Sequence, residues 1–399
     1  MQSPTSQTHR SPPAELRAVA AAAAAATFLV AWGLVHRWFW AHGQLIDTPT
    51  YQRYGDAIVH HGLVPYRDFA VEYPPGALPA FALPSLVGAY DSTFAWLMAG
   101  CGVLLVGVVS SLRGAAGWFV AVSPLLVGSL ILSRFDLWPA LLATAALAAL
   151  LTGREPLGFG LLGLAVAAKG WPLVLVPLAL VWAWRRGRLR AAWAGVATLA
   201  VVVVPFALLA PHGVWASISG QVSRPLQVES LGAALLTTFG HPAVVTSHGS
   251  QGLVGHGALA TAVAFLQLAA LLAIWVGFAR GEATPERLTR FAAAAVCAFV
   301  AFGKVLSPQY LIWLVPLVPL VRGRRGLAAT GLLAGALVLT QVWFPTRYWA
   351  YALEGHLAGV VLARDLVLVA LVALLGLPAR PGLSLAATSG GSHRDESVT

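Results

Sequence analysis

The sequence predicts an all-α protein that crosses a membrane many times, as a bundle of about 11–13 transmembrane or partly spanning helices. Of its 399 residues, 58% are hydrophobic and only 10% are charged, whereas soluble domains carry about 25% charged residues. Apolar runs such as 18–36, 258–279 and 327–343 are long enough to cross a hydrocarbon core of ~30 Å. This composition excludes nucleic-acid-binding, zinc-finger and disulfide-rich classes of protein.

Two arginine clusters predict the orientation of the chain. One cluster lies at 185–190 and the other at 322–325, and each directly follows an apolar run. Arginine-rich short loops are typical of the cytoplasmic side, so both termini are expected there, in a multi-pass plasma-membrane protein. The polar ends 1–15 and 378–399 read as disordered cytoplasmic tails around a single membrane domain, 16–377.

The apolar segments follow one another closely along the chain. The first run, with no signal-peptidase pattern after it, is an uncleaved first span. An even number of crossings must separate the cytoplasmic N-terminus from the first arginine cluster, so the short, proline-rich 76–90 is predicted to be a partial or re-entrant helix. The segments are 18–36, 76–90, 93–112, 118–133, 137–152, 157–168, 171–184, 192–210, 258–279, 291–302, 308–321, 327–343 and 357–377.

The first outer loop, 37–75, is predicted to contain a short amphipathic helix. Thr48 suits its N-cap, Pro49 its first position and Gly62 the residue beyond its end. Tyr51 would lie on the apolar side of a helix at the membrane surface.

Asp47 stands just before this helix and just outside the first span. A carboxylate at a helix N-terminus is stabilised as an anion. One interpretation is therefore helix capping, and the other is a general base held at the membrane boundary.

The rest of the loop is acidic and aromatic. Asp56, Glu72 and Tyr73 accompany prolines that prevent a continuous helix. Together with Tyr51, these side chains are candidates for binding the acceptor or the sugar through stacking and hydroxyl hydrogen bonds, but they are also typical of an interfacial aromatic belt.

Only two of the 25 basic residues are lysines, and both interrupt apolar sequence. Lys169 and Lys304 each follow a short apolar segment and precede one that ends at an arginine cluster. A charge at such depth needs a partner or a polar cavity. Snorkelling to the headgroups is one interpretation, and binding of a donor phosphate is the other.

Further polar residues are predicted at the same level. Arg134 is a candidate phosphate ligand, with Asp136 either paired to it or in a supporting role, and Arg224 opens a polar string in the second long outer loop. The remaining supporting candidates are Gln227, Glu229, Gln309 and Tyr310.

No cofactor or metal motif is evident. Three histidines of the second outer loop, His241, His248 and His256, are irregularly spaced, and neither an HExxH nor a phosphate-binding glycine loop occurs. No metal ligands are predicted, and a dependence on a divalent metal is left open.

Together these motifs resemble an enzyme family. The Asp47–Tyr51 spacing, Tyr73-Pro-Pro, Arg134–Asp136, Lys169-Gly-Trp-Pro and the strings that begin at Arg224 and Lys304 are similar to those of glycosyltransferase family 87. This actinobacterial type of integral-membrane protein, within the GT-C superfamily, includes polyprenyl-phosphate-mannose-dependent α-mannosyltransferases.

The resemblance covers about 16–377. It implies an inverting sugar transfer on the outer face, with Asp47 as the base. The implied partners are a polyprenyl-phosphate sugar donor, mannose being favoured, a lipid or glycan acceptor, and membrane lipids. Where many superfamily members have paired acids, this chain has Asp47 followed by Thr48. A multi-pass transporter or flippase of a lipid-linked precursor is the alternative function, and a non-catalytic scaffold is a third.

Overall fold

The computed structural model describes residues 13–42, 47–247 and 249–377, and this part of the chain is almost wholly helical. The predicted all-α membrane class is confirmed, because six of the described helices are long and apolar enough to cross a membrane. Residues 1–12 and 378–399, which make up nearly all of the two predicted tails, lie outside the described residues.

The described α-helices are α1 (Ala14–His42), α2 (Thr48–Val59), α3 (Leu78–Val87), α4 (Tyr90–Leu112), α5 (Gly114–Val127), α6 (Leu130–Ser133), α7 (Leu137–Leu151), α8 (Glu155–Ala168), α9 (Val176–Arg185), α10 (Ala192–Leu209), α11 (Pro211–Val222), α12 (Leu231–Phe239), α13 (Gly257–Arg280), α14 (Pro285–Ala301), α15 (Gly323–Trp343), α16 (Tyr348–Glu354) and α17 (Ala358–Gly376). Single 3₁₀ turns lie at Pro75–Ala77, Trp171–Leu175, Leu189–Ala191, Pro308–Trp313 and Val318–Leu320. Strands β1 (Val244–Ser247) and β2 (Ser250–Leu253) form an antiparallel hairpin that pairs Val244 with Leu253.

The loops gather at two opposite ends of the bundle. At the arginine face, defined by Arg113, 185–190 and 322–325, guanidinium groups bind carbonyl oxygens of other loops. Arg113 donates to Pro319 O at 2.7 Å, and Arg185 donates to Gly281 O at 2.7 Å. The site face is defined by Asp47, 134–136, Lys169 and Lys304, and its contacts are described below.

Helix α3 begins and ends beside elements of the site face. It follows a turn in which Gly76 O accepts a hydrogen bond from Trp138 Nε1 (3.1 Å), and Ser85 near its end bonds Asp56 of α2 at 2.8 Å. Helix α4 then runs from Tyr90, whose hydroxyl bonds Phe81 O, toward Arg113. Helix α3 is only ten residues long, and that segment 76–90 does not cross fully stays a prediction.

Two predicted helices are broken. Segment 118–133 is divided between α5 and α6, because Gly128 takes a positive φ of 66° after Pro124; Gln341 Nε2 satisfies the freed Val127 carbonyl at 2.8 Å. Segment 308–321 is 3₁₀ rather than α-helical. Prolines 308, 316 and 319 remove N–H donors there, and the stretch from Leu311 to Val321 is wholly buried.

The predicted orientation can be tested by thiol labelling, because the two native cysteines are buried. We expect Arg53→Cys on α2, which is exposed, to react with a membrane-impermeant maleimide in intact cells. Arg324→Cys, exposed at the arginine face, should react only after lysis. The reverse pattern would place the site face in the cytoplasm.

Candidate active site

Asp47 is the N-cap of α2, yet its side chain caps nothing in that helix. Thr48 is instead the first helical residue, so its predicted N-cap role is wrong, while Gly62 does take a positive φ of 63° beyond the helix end. The Asp47 carboxylate forms an ion pair with Arg134 and lies 3.4 Å from the Tyr51 hydroxyl. Helix capping therefore does not explain this carboxylate.

The turn between α6 and α7 separates two ion pairs. Arg134 and Asp136 do not pair with each other: Arg134 binds Asp47, whereas Asp136 Oδ1 accepts hydrogen bonds from Lys169 Nζ and Trp313 Nε1, both at 2.6 Å. Asp136 is fully buried, and its other oxygen has no partner in the described residues. A buried charge is tolerated only with such partners.

Lys169 lies in an aromatic cage. Its ammonium is 4.6 Å from the ring centre of Phe135, 5.2 Å from Trp313, 5.6 Å from Tyr310 and 6.0 Å from Tyr73. The electron-rich ring faces stabilise a cation at these distances. Lys169 therefore does not snorkel outward but lies at the centre of the site.

Tyr51 and Tyr73 are part of a packed aromatic cluster. Tyr51 is only 1% exposed and stacks on Phe81 with ring centres 4.6 Å apart, and Tyr73 lies edge-on at 5.8 Å. The Tyr66 hydroxyl donates to Tyr73 O at 2.6 Å. These rings form the floor of the site, with the Tyr51 hydroxyl next to Asp47.

Asp56 lies away from this cluster. Its Oδ1 accepts from Ser85 at 2.8 Å and is 3.7 Å from His60 Nε2. The carboxylate therefore holds α2 to α3, and its sugar-binding role stays a prediction.

Glu72 and Arg224 bring the two outer loops together. Their side chains are 3.7 Å apart, and Gln221 Nε2 donates to Glu72 O at 3.2 Å. Glu72 remains half exposed, whereas the Arg224 side chain is largely buried.

Lys304 contacts the same region through both its backbone and its side chain. Gln227 N donates to Lys304 O at 2.9 Å, and Lys304 Nζ donates to Val222 O at 2.6 Å. Partial burial lowers the pKa of Lys304. Gln309 is held nearby by the Ser307 hydroxyl, while Tyr310 stacks on Trp313 with ring centres 4.1 Å apart.

Glu229 is almost fully buried, and burial raises its pKa to about 7. Its backbone carbonyl accepts from Arg364 Nη2 at 2.8 Å, and Arg364 pairs with Asp365 at 2.7 Å, both fully buried in α17. Sequence reasoning missed this pair, although two adjacent charges inside an apolar run are the signal that finds it.

The site carboxylates pair with cationic side chains: Asp47 with Arg134, Glu72 with Arg224, and Asp136 with Lys169. Within the described ranges, no three His, Cys, Asp or Glu side chains converge so as to hold a metal ion.

Two cavities meet at Arg224. The lipid-side cavity, about 590 Å³, is lined by Arg224, Lys304 and His256 and by α13 side chains that include Phe265 and Leu268. The loop-side cavity, about 430 Å³, lies between 66–72 of the first outer loop and α11. Among the described residues, Asp47 lines neither of these two cavities.

A comparison with protein families matches residues 71–308 to Glycosyltransferase family 87. The match covers more than half of the chain and includes Glu72, Arg134, Lys169, Arg224 and Lys304. A comparison with curated proteins finds no match.

Proposed function

The chain belongs to glycosyltransferase family 87, and on this premise we propose that it moves a sugar, with mannose favoured, from a polyprenyl-phosphate donor to a hydroxyl of a lipid or glycan acceptor on the outer face of the plasma membrane. A GT-C type of reaction, with inversion at the anomeric carbon, is part of this proposal. The six long apolar helices place the protein in a membrane, where such a donor resides.

The lipid-side cavity is the observation that carries the proposal. Arg224 and Lys304 supply positive charge to its lining. Along the wall, Phe265 is 68% exposed and Leu268 48% exposed, as expected of side chains that face lipid tails. A phosphate with a long apolar chain suits this mixed lining, because cations bind its head and apolar surface covers its tail.

We assign the donor phosphate to Arg224 and Lys304. Lys169 and Arg134 are also predicted to bind it, but neither lines the lipid-side cavity, and both are held in close, largely buried ion pairs with Asp136 and Asp47. Arg224 does line that cavity, and its contact with the half-exposed Glu72 is longer, at 3.7 Å. The positive charge of Lys169 and Arg134 would contribute to the field of the site and position the two carboxylates rather than bind the phosphate directly.

In the proposed reaction, Asp47 takes the proton from the acceptor hydroxyl while the hydroxyl oxygen attacks the anomeric carbon of the donor sugar. The bond from that carbon to the phosphate oxygen breaks, and the electron pair stays with the lipid phosphate, where Arg224 and Lys304 neutralise it. The Asp47 carboxylate, paired with Arg134, presents oxygens that accept hydrogen bonds, and accepting the proton of a hydroxyl is the role of a general base.

The proposal is tested with purified protein in liposomes given a radiolabelled polyprenyl-phosphate mannose and an extract of envelope glycolipids. We expect label to move to an acceptor, and no transfer from a nucleotide sugar. If wild-type protein transfers nothing but moves the labelled lipid between leaflets, the protein is a flippase instead.

Removing the Lys304 charge should weaken donor binding. We expect Lys304→Met to raise the donor KM on the order of 10–100-fold, the effect of losing one charge-assisted hydrogen bond, while Lys304→Arg retains most of the affinity. Arg325→Met, at the arginine face, is the control for general loss of charge. Poor accumulation of Lys304→Met with normal activity per folded molecule would show that Lys304 is a structural partner of Val222.

A further inference from the structure

The loop-side cavity borders the lipid-side cavity at Arg224. Both cavities include Arg224 in their lining, and the loop-side cavity adds Glu72, the partner of Arg224 at 3.7 Å. Two cavities that meet at one ion pair can hold two different molecules with their ends close together. This is the geometry that a two-substrate transfer requires.

The chemistry of the loop-side cavity is unlike that of its neighbour. Its wall contains the carboxylates of Asp68 and Glu72, the amide of Gln221 and the hydroxyl of Ser217, with the Phe69 ring beside them. Hydrogen bonds from Arg67 and from Val64 N lower the pKa of Asp68 to about 2, so it is ionised at neutral pH.

Such a wall discriminates between ligands. Each carboxylate of this wall is paired with an arginine of the same wall, Asp68 with Arg67 and Glu72 with Arg224, so the wall has no net positive charge to attract a phosphate. In the part of the chain that the structure describes, the lining of the lipid-side cavity has Arg224 and Lys304 and no carboxylate, so the phosphate belongs there. Carboxylate, amide and hydroxyl groups instead suit a neutral molecule with many hydroxyls, since each can accept or donate hydrogen bonds, and an aromatic ring can cover an apolar sugar face.

Helix α11 is built to leave this space open. Gly213, Ala216, Ser217 and Gly220 lie on one face at helical spacing and line the cavity. Gly213 permits close packing on the first outer loop, because a Cβ there would collide with the Tyr66 carbonyl oxygen.

Two further features of α11 are the free space at Gly220, near its C-terminal end, and the apolar face on its opposite side. A Cβ at Gly220 would meet nothing within 4 Å. On the opposite face, Trp215 is 67% and Val222 70% exposed, so the helix offers apolar side chains to the membrane boundary and small ones to the cavity.

We propose that the loop-side cavity binds the carbohydrate part of the acceptor, which reaches the Glu72–Arg224 pair from the side opposite to the donor. The inference rests on the proposed function and adds to it where the acceptor binds and what it is: a hydroxyl-rich glycan or glycolipid head.

Matched glycine substitutions separate the two cavities. Gly257, the first residue of α13, lines the lipid-side cavity, and a Cβ at this position would also meet nothing within 4 Å. We expect Gly220→Leu to raise the acceptor KM about tenfold, the effect of losing one or two hydrogen bonds, with the donor KM unchanged. Gly257→Leu should raise the donor KM and leave the acceptor KM unchanged. Equal effects of Gly220→Leu on both substrates, or none, would overturn the assignment.

A binding measurement makes the inference independent of turnover. Gly220→Cys should be alkylated by a hydrophilic maleimide, and a panel of methyl glycosides (mannoside, glucoside and arabinofuranoside) should slow this reaction severalfold. Polyprenyl phosphate should protect Gly257→Cys and not Gly220→Cys. Lack of protection of Gly220→Cys by every glycoside would refute the acceptor site even if sugar transfer is observed. Protection by a glycoside without any transfer would support the site while the proposed transferase reaction fails.

Discussion

Asp47→Asn should lower the rate of sugar transfer by about 10²–10⁴-fold, the contribution typical of a general base. The amide keeps the size of the side chain but cannot take up the acceptor proton. Since Asp47 makes no capping bond to α2, the helix should persist, and the donor KM should change much less than the turnover number. Radiolabel transfer under single-turnover conditions measures this effect.

Asp56→Asn is the matched control, because it makes the same change in the same helix at a carboxylate held by Ser85. Glu72→Gln tests the competing assignment, in which Glu72 is the general base, since Glu72 is half exposed where the two cavities meet. If Glu72→Gln removes transfer while Asp47→Asn retains it, the base is Glu72 and the pair of Asp47 with Arg134 is structural.

Asp136→Ala should destabilise the protein by roughly 3–5 kcal/mol, the cost of leaving a buried charge without its partner. Asp136 is fully buried and Lys169 nearly so, and the carboxylate also accepts from Trp313. We expect a large fall in the temperature at which the detergent-solubilised protein loses its monodisperse elution profile.

The double variant Asp136→Leu with Lys169→Met tests whether the unpaired Lys169 ammonium causes this loss of stability. It removes both charges and keeps comparable volume, so it should recover much of the lost thermal stability. Recovery of stability without activity would show that the pair positions the site. If the double variant is no more stable than Asp136→Ala, the loss arises from the Trp313 contact or from packing rather than from an unpaired ammonium.

The sequence alone determined the membrane class and the identity of most polar residues that meet at the site face. Low charge content and long apolar runs require a bilayer, and the cost of a charge at depth marked both lysines as residues with partners. A count of crossings between the cytoplasmic anchors also predicts that segment 76–90 does not cross, and this stays a prediction.

Which charged side chains form ion pairs was decided only by the tertiary structure. Arg134 and Asp136 are two residues apart, and sequence proximity suggested an ion pair, yet the turn between α6 and α7 directs them to Asp47 and Lys169. Likewise Asp56 and Asp47 are similar in sequence context, and only the packing of α2 on α3 separates their roles. Ion pairing depends on which helices lie side by side, and that arrangement is set by packing over the whole bundle, not by spacing along the chain.

The two cavities were also beyond the reach of sequence. Arg224 was recognised as a candidate, but its position between α13 and α11 results from contacts far apart in the chain, such as Gln227 N with Lys304 O and Gln221 with Glu72. Local sequence determines which residues carry charge and which can approach closely, as Gly213 does. The small residues of α11 contribute to the empty space beside them, but its size also depends on how far the first outer loop lies from this helix, and no pattern within a single segment encodes that distance.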